Sequence, residues 1–244
     1  MFIEECKSDL PKLNPIKERM DINIPEISSN LPHRNGFVYM LCGSGGSGKS
    51  SLLMSMFKSR SYYRYKFHNI YYFCPQSSMM SVVSHPFAEH EQVYNELTEG
   101  DLVRIKEELE DIKKTCIQND WPLENSCVII DDFGSHLKDA ELVNAINRTI
   151  IRTRHLNCAW IFTLQSYYLC PKILRKQCTN ASIFRPRNAE EWKAVTKELL
   201  VMNPDKLEQL ENYVFDEPYN HLDIDTFENR IFKNFCELKL TDIK

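Results

Sequence analysis

The stretch that decides the fold is "FVYMLCGSGGSGKSSLLMSMF", which covers residues 37–57. Gly43, Gly48, Lys49 and Ser50 occupy the fixed positions of the pattern G-x-x-x-x-G-K-[ST]. The apolar run before this pattern has the length and the aromatic and β-branched composition of a buried strand, and the apolar residues after it recur at helical spacing. A strand, a glycine-rich loop and a helix in this order predict a phosphate-binding loop.

Each residue type in the loop suits the binding of a nucleoside triphosphate. Closely spaced glycines let the backbone turn so that successive N–H groups point at phosphate oxygens, and the following helix adds the partial positive charge of its N-terminus. Lys49 supplies a mobile cation for the β- and γ-phosphates, and the hydroxyl of Ser50 is a hard ligand for Mg²⁺. We therefore predict that ATP is bound by Gly43, Ser44, Gly45, Gly46, Ser47, Gly48, Lys49, Ser50 and Ser51.

Composition argues against several other classes of protein. The 244 residues are enough to bury a core, and the net charge of −4 gives no overall attraction for nucleic acid. The nine cysteines form no C-x-x-C pair and several lie in apolar runs, which indicates buried side chains in a reducing compartment. The N-terminal sequence lacks the features of a signal peptide, and no apolar run is long enough to span a membrane, so we expect no membrane anchor.

Segments of strand character alternate with segments of helical periodicity along the chain. This alternation predicts an α/β fold with a mostly parallel sheet and helices on both faces. Residues 76–100 are mixed and are predicted to form loop and short helix. Strands are predicted at residues 37–42, 66–75, 126–133, 157–165 and 180–186, and helices at 51–57, 101–119, 138–155, 170–177, 188–200 and 203–215.

The domain organisation follows from the same pattern. Residues 1–34 are rich in proline and asparagine and are predicted to form an irregular lead-in or a short appended strand. Residues 35–244 are predicted to form one phosphate-loop domain, with an acidic C-terminal extension from about residue 198.

Two acids end the predicted strand "SCVIIDDF", and they form the second half of the candidate site. Ligands of open α/β sheets bind at the carboxyl ends of the strands. Asp131 is predicted to hold Mg²⁺ through water, and Asp132 to polarise the attacking water. An Asp-Asp turn that merely closes a strand is the structural alternative.

Gln165 ends the next predicted strand, and its amide can both donate and accept a hydrogen bond. It could therefore contact a water and a γ-phosphate oxygen at once, or simply begin a loop. The first interpretation requires the strand of Gln165 to lie between the phosphate-loop strand and the acidic strand. That arrangement defines the additional-strand, RecA-like class of P-loop NTPases.

Charge is segregated along the chain. Residues 142–189 contain no Asp or Glu but many Arg and Lys residues, whereas the flanking segments are acidic. This pattern indicates a polyanion bound by one face, or arginines that contact ATP phosphates or a neighbouring subunit. The residues predicted to contact DNA are Lys172, Lys176, Arg185 and Arg187.

The combination of "CGSGGSGKSS", "VIIDDF", "TRHLNCAWIFTLQ" and "CPKILRKQCTNASIF" resembles the viral genome-packaging ATPases of the FtsK/HerA superfamily. This family includes the poxvirus-type packaging ATPases of large nucleocytoplasmic DNA viruses, virophages and polinton-like viruses. The resemblance covers residues 37–184, and its most specific part is the Arg-His pair, the strand-end Gln and Pro-Lys-x-x-Arg. The chain differs from the family in one detail. Family members often have an Asn soon after that last Arg, whereas here Asn180 comes five residues after Arg175.

The resemblance implies a Mg²⁺-dependent ATPase that forms a ring of five or six subunits and drives double-stranded DNA into a preformed capsid. It implies a capsid vertex or portal protein as a partner, and the host cytoplasm, with transient location at the capsid, as the place of action. Lys49, Asp132 and Gln165 would be catalytic within one subunit. Arg154 would reach the ATP site of the neighbouring subunit, with Arg175 as the next candidate and Arg152 as a poorer third.

Two alternatives from other classes remain open at the level of sequence. A P-loop nucleotide or nucleoside kinase would need an acceptor pocket and would leave Gln165 unexplained. A non-catalytic, nucleotide-dependent assembly protein would not need Lys49, Asp131 and Asp132 together. A GTPase and an ABC ATPase are disfavoured because N-K-x-D and L-S-G-G-Q motifs are lacking.

Overall fold

The computed structural model describes residues 24–80, 85–87, 92–134, 136–200 and 202–239. Within them, one nine-stranded sheet has the strand order β3-β2-β4-β5-β1-β6-β7-β8-β9. The strands are β1 (Val38–Cys42), β2 (Asn69–Phe73), β3 (Val93–Tyr94), β4 (Ser126–Ile130), β5 (Cys158–Leu164), β6 (Asn180–Phe184), β7 (His221–Asp225), β8 (Arg230–Lys233) and β9 (Cys236–Glu237). The helices are α1 (Lys49–Lys58), α2 (Gln76–Met80), α3 (Glu99–Gln118), α4 (Ala140–Thr153), α5 (Lys172–Arg175), α6 (Ala189–Leu199) and α7 (Pro204–Val214).

The first six strands of the order, from β3 to β6, run parallel, and β7, β8 and β9 extend the sheet antiparallel to their neighbours. Strand β5 lies between β1 and β4, with Met40 opposite Phe162 on one side and Val128 opposite Trp160 on the other. The inserted strand predicted from Gln165 is therefore confirmed, and with it the mostly parallel α/β fold of the additional-strand class.

Both faces of the sheet are covered by helices, as the near-continuous apolar strands predict. Alternate residues of β1 point to opposite faces, so Met40 joins the core beneath α3 and α4, whereas Leu41 joins the core beneath α1. Ile146 of α4 and Leu53 of α1 are fully buried in these two cores. The arrangement leaves the carboxyl ends of β1, β4 and β5 at one edge of the sheet, where the predicted site residues begin.

The predicted helices are confirmed with shifted bounds. Asn188 caps α6, because its side-chain oxygen accepts a hydrogen bond from the Glu191 N–H at 2.8 Å. The helix predicted at 138–155 is shorter, since α4 is flanked by 3₁₀ turns at His136–Lys138 and Arg154–Leu156.

The acidic C-terminal extension differs most from the prediction, since it contributes three antiparallel strands. The segment "HLDID" of β7 is buried throughout, including Asp223 and Asp225. Asp223 accepts hydrogen bonds from the Ser182 hydroxyl of β6 and from the Phe235 N–H, and Asp225 accepts two from N–H groups of the turn after β7. Strand β3, with two residues, was also not predicted.

The N-terminal lead-in lies partly outside the described residues, which begin at Ile24. Residues 24–34 form turns, and Ile24 and Leu31 are buried in the core beneath α1. Within the described residues every cysteine is free and all except Cys236 are buried, as expected for small apolar side chains. None of the described helices combines the length and the apolar character that crossing a membrane requires.

Candidate active site

The phosphate loop begins where β1 ends, against the neighbouring strand β5. The N–H of Gly43 donates to the Leu164 carbonyl at 3.0 Å. A Cβ atom at Gly43 would lie 2.6 Å from the Ser47 hydroxyl oxygen and 2.7 Å from Cβ of Phe184. Only glycine fits this close approach, so the first residue of the motif is required by packing.

The rest of the loop leaves an open concavity lined by backbone. Gly46 and Gly48 adopt left-handed conformations, with φ values of 79° and 104°, which glycine adopts without steric cost. A Cβ atom at Gly45 or Gly46 would meet nothing within 4 Å. Helix α1 begins directly after the loop, so its N-terminal N–H groups and partial positive charge lie at this concavity.

Lys49 is a buried cation at the base of the loop. Its ammonium group donates to the Ser44 carbonyl at 2.9 Å. Burial lowers the pKa of Lys49, and the carboxylates of Asp132 and Asp131 act in the opposite direction. Lys49 follows β1 and the two acids follow β4, and both strands pair in parallel with β5. The two halves of the predicted site, which are far apart in sequence, therefore lie along the same carboxyl edge of the sheet.

Asp131 is buried and firmly oriented by two neighbouring strands. One carboxylate oxygen accepts a hydrogen bond from the Tyr72 hydroxyl of β2 at 2.7 Å, and the other accepts one from the Thr163 hydroxyl of β5. The Tyr72 hydroxyl also contacts Nε2 of His85 at 3.1 Å. Burial and the nearby Asp131 charge raise the pKa of Tyr72 well above its usual range, so Tyr72 remains a hydrogen-bond donor to Asp131.

Asp132 is exposed and is held by residues of β5, of the loop after β5 and of α2. Its carboxylate accepts one hydrogen bond from the Gln165 amide at 3.0 Å and another from the Ser78 hydroxyl at 2.8 Å. Its N–H donates to Thr163 at 3.0 Å. The backbone of Asp132 is left-handed, with φ of 61°, a strained conformation of the kind found at functional sites. Asp132 and Gln165, predicted independently, are thus in direct contact.

The described residues contain no group of three or more His, Cys, Asp or Glu side chains that could hold a metal ion by themselves. This fits Mg²⁺ in a nucleotide site, where phosphates and waters supply most ligands. Ser50 is exposed at the start of α1, and the buried Ser47 hydroxyl has no hydrogen-bond partner among the described protein atoms. The open glycine loop and this unpaired hydroxyl suit a triphosphate, and Ser50 and Asp131 remain the residues predicted to lie beside its metal.

The two main candidates for a trans-acting arginine, Arg154 and Arg175, have different surroundings. Arg154 is exposed and precedes β5, at the amino edge of the sheet, where it lines a cavity of about 90 Å³ with Arg34 and Phe227. Arg175 is largely buried, with its guanidinium 3.4 Å from Glu198 and 4.6 Å from the ring centroid of Tyr167. The structure therefore leaves Arg154 accessible to a neighbouring molecule and engages Arg175 within its own subunit.

The residues predicted to contact DNA lie at two separate places. Lys172 and Lys176 are exposed at α5, whereas Arg185 and Arg187 are exposed just beyond the carboxyl end of β6. Arg185 donates to the Phe215 carbonyl at 2.5 Å. The charge of Arg187 lowers the pKa of Lys49, which places it within electrostatic range of the phosphate loop.

Sequence reasoning missed three residues that shape the site, namely Tyr72, Ser78 and Thr163. Each acts by orienting an acid rather than by carrying a motif of its own. Of the three, only Thr163 could have been found from the sequence. It lies two positions before Gln165 along an extended chain, so the two side chains point to the same face. Tyr72 and Ser78 lie on and just after a strand that carries no motif.

The fold and the site together define a P-loop ATPase of the additional-strand class. The chain belongs to a known family within this class, because residues 28–224 match the family model described as "Poxvirus A32 protein". No curated protein sequence matches the chain significantly.

Several solved structures share the fold. The DNA-packaging ATPase B204 from Sulfolobus turreted icosahedral virus is 19% identical, with a TM-score of 0.56 over 84% of this chain and 98% of that chain. The genome packaging NTPase B204 from Sulfolobus turreted icosahedral virus 2, in complex with AMPPCP, is 19% identical, with a TM-score of 0.55 over 85% and 100% of the two chains. EssC (ATPases 2 and 3) from Geobacillus thermodenitrificans is 16% identical, with a TM-score of 0.60 over 96% of this chain and 49% of that chain.

The family membership, the ATPase class and the fold predicted from the sequence are therefore confirmed. At these identities the solved structures establish the fold, while the family assignment rests on the model match over most of the chain.

Proposed function

We propose that the chain is the motor subunit that packages double-stranded viral DNA into a preformed capsid, driven by hydrolysis of ATP to ADP and phosphate. The observation that carries this proposal is the meeting of the phosphate loop, the two acids and Gln165 at one edge of the sheet. Phosphoryl transfer depends mainly on positioning and charge neutralisation, which is what these residues can provide. Family membership and the similarity to two packaging ATPases support DNA as the polymer that is moved.

Each residue has a defined part in this proposal. The loop N–H groups and Lys49 bind the phosphates, and Mg²⁺, when bound beside Ser50 and Asp131, neutralises charge on them. Asp131 is oriented by Tyr72 and Thr163, so its position is fixed before the nucleotide binds. Asp132 accepts the proton of the attacking water or polarises it.

Asp132 has an additional feature, because both of its carboxylate oxygens accept hydrogen bonds from within the chain. A carboxylate that already accepts bonds from Ser78 and Gln165 has less acceptor capacity left for the hydrogen bond from an attacking water. We propose that this is a resting arrangement and that release of Ser78 accompanies activation. Gln165 would then contact the γ-phosphate as well as Asp132.

Arg154 is proposed to act on a neighbouring subunit in a ring of five or six copies. Strand β5 has seven residues and separates Arg154 from Gln165 by roughly 20 Å at 3.3 Å per residue. That distance is too great for Arg154 to reach the phosphates of its own subunit. Its exposure at the amino edge and its permanently charged, forked guanidinium suit a contact made in trans.

DNA contacts are proposed for Lys172, Lys176, Arg185 and Arg187, and a capsid vertex or portal protein is proposed as the docking partner during assembly in the host cytoplasm. Neutralising these four residues together should weaken DNA binding and flatten its salt dependence, by about 0.9 units of slope for each phosphate that is no longer neutralised. An unchanged slope of log affinity against log salt would assign the four residues to another surface.

The test of the proposed function is ATP hydrolysis measured with and without double-stranded DNA in the presence of Mg²⁺. We expect turnover that DNA accelerates, with ADP and inorganic phosphate as the products. Transfer of phosphate to a nucleoside or nucleotide would instead identify a kinase. A stable ring without turnover, even with DNA, would identify an assembly protein.

A further inference from the structure

A second cavity adjoins the phosphate loop on the outer side of α1. It has a volume of about 450 Å³ and is lined by Gly48 and Ser51 on one side and by three aromatic side chains, Phe184, Tyr219 and His221, on the other. Gly48 and Ser51 belong to the predicted phosphate-binding residues, so a ligand held by the loop would continue directly into this cavity. The three aromatic residues carry no motif and have no part in the catalytic arrangement described above.

Two of the aromatic side chains, Tyr219 and His221, come from the C-terminal sheet extension that the sequence did not predict, and the third belongs to the predicted strand β6. Phe184 ends β6, His221 begins β7, and their ring centroids lie 5.2 Å apart at an interplanar angle of 64°. Tyr219 precedes β7 and is 71% exposed. A Cβ atom at Gly48 would lie 3.3 Å from the Tyr219 ring and 3.4 Å from the Phe184 ring, so both rings lie against the loop backbone.

Tyr219 is held in an unusual conformation at this position. Its φ of 68° is left-handed, which is uncommon for a bulky residue and strains the backbone. A large aromatic side chain left mostly in solvent contributes little to folding, so its packing does not explain that strain. The strained backbone does direct the ring to the mouth of the cavity, beside Gly48.

The cavity wall is uncharged at neutral pH. Burial lowers the pKa of His221 to about 4, so its imidazole is neutral. Phe184 is an apolar ring, Tyr219 adds an aromatic ring with a hydroxyl, and Ser51 offers only a hydroxyl. A planar, uncharged heteroaromatic ring is the chemistry that fits such a wall, because every nucleobase has a π-face that stacks on aromatic side chains.

We propose that this cavity holds the base of the bound nucleoside triphosphate, with Tyr219 stacked on the base and Phe184 and His221 behind it. The proposal rests on the proposed function, since it requires the triphosphate to occupy the adjacent loop. It assigns to the C-terminal extension a direct part in nucleotide binding. It also separates the site into a phosphate part made by the motif and a base part made by residues 184–221.

The phosphate part and the base part can be tested separately by measuring the affinity for two ligands. One ligand is a non-hydrolysable ATP analogue, and the other is inorganic triphosphate, which lacks the base. Tyr219→Asn removes the ring and places a residue that tolerates a left-handed backbone. We expect it to weaken binding of the ATP analogue about tenfold, within the range for loss of one base–aromatic stack, and to leave triphosphate affinity unchanged. Tyr219→Phe keeps the ring and should bind the ATP analogue about as well as the original chain.

Tyr65 provides the matched control, because it is another exposed tyrosine in a left-handed conformation, with φ of 64° and 73% exposure. It does not line this cavity, so Tyr65→Asn should change neither affinity. Equal losses for both ligands in Tyr219→Asn, or no loss for the ATP analogue, would overturn the base site. Failure of the unaltered chain to bind either ligand would overturn the phosphate site as well, and thus the proposed function.

Discussion

The carboxyl edge and the amino edge of the parallel sheet are both polar, but they are organised in different ways. At the carboxyl edge, Asp131 and Asp132 receive hydrogen bonds from residues of β2, α2 and β5, and Lys49 lies within electrostatic range of both acids. At the amino edge, Arg154 is exposed beside a small cavity at the end of a helix. One edge therefore has a preassembled site, whereas the other presents a cation to the outside.

This difference suggests that the two edges have different functions in the proposed ring. With a nucleotide and a metal bound, the carboxyl edge of one subunit would have every proposed catalytic group except a cation that stabilises the charge of the transition state. The amino edge has a suitable cation but no phosphate loop of its own. If the two edges of adjacent subunits meet, each subunit completes the site of the next, and the ring becomes the functional unit.

The largest effect is expected at the carboxyl edge from Lys49→Ala. The change removes the cation that faces the β- and γ-phosphates, and turnover should fall by about 10³ or more. The protein should remain folded, because the Lys49 ammonium contacts a single carbonyl of its own loop. Steady-state ATPase rates together with thermal unfolding measure both effects. Near-normal turnover in a folded variant would remove the phosphate loop from the mechanism.

The next largest effect is expected from Asp132→Asn, which keeps the shape of the side chain and removes the base. Turnover should fall by about 10² to 10³ while ATP and Mg²⁺ still bind. Asp131→Asn is the comparison, because it should lose metal affinity instead. Binding isotherms for Mg²⁺ and ATP distinguish the two variants, and an exchange of their phenotypes would reverse the assigned roles.

The sequence predicted where these two acids lie in the fold, because their position depends on a general rule of parallel sheets. Adjacent carboxyl ends meet at one edge, so a motif after β1, two acids after β4 and an amide after β5 had to come together. The C-terminal extension offered no such rule. Asp223 is buried in β7, and burial raises the pKa of its carboxyl to about 7. The acidic sequence of this segment does not indicate that the carboxyl is buried.

Long-range pairing was equally inaccessible to sequence reasoning. The acid-free stretch suggested one cationic face, but Arg148 contacts Glu99 at 2.9 Å and Arg175 lies beside Glu198, and both acids come from outside the stretch. The partner of an arginine is set by tertiary packing. The site residues that carry motifs were therefore predictable, whereas their orienting partners and the accessibility of each arginine required the structure.

The third prediction tests whether the amino edge of one subunit acts on the carboxyl edge of another. Arg154→Ala should lower turnover by about 10², the cost of removing one donor to transition-state charge. Mixed with Lys49→Ala protein, it should regain part of its activity, because its intact phosphate loop receives Arg154 from the other variant. The measurement is ATPase rate against mixing ratio.

The control for this mixing experiment is Arg148→Ala, which should retain activity alone. Arg148 is an exposed arginine of the same helix α4, and it pairs with Glu99 of its own chain. If mixed rings form and the two inactive variants stay inactive at every ratio, Arg154 is not supplied in trans. The amino edge would then be a surface for another partner.

The smallest effect is expected from Ser78→Ala, and it has the opposite sign. Ser78 donates to Asp132 at 2.8 Å, so its removal returns acceptor capacity to the carboxylate and should raise the ATPase rate without DNA by a few-fold, about the worth of one hydrogen bond. The rate with saturating DNA should change little, because the proposed activated state has already released this bond. Ser77→Ala, at an exposed position of the same helix, is the matched control and should leave both rates unchanged. A lower DNA-independent rate in Ser78→Ala would show that Ser78 positions Asp132 for catalysis instead of restraining it.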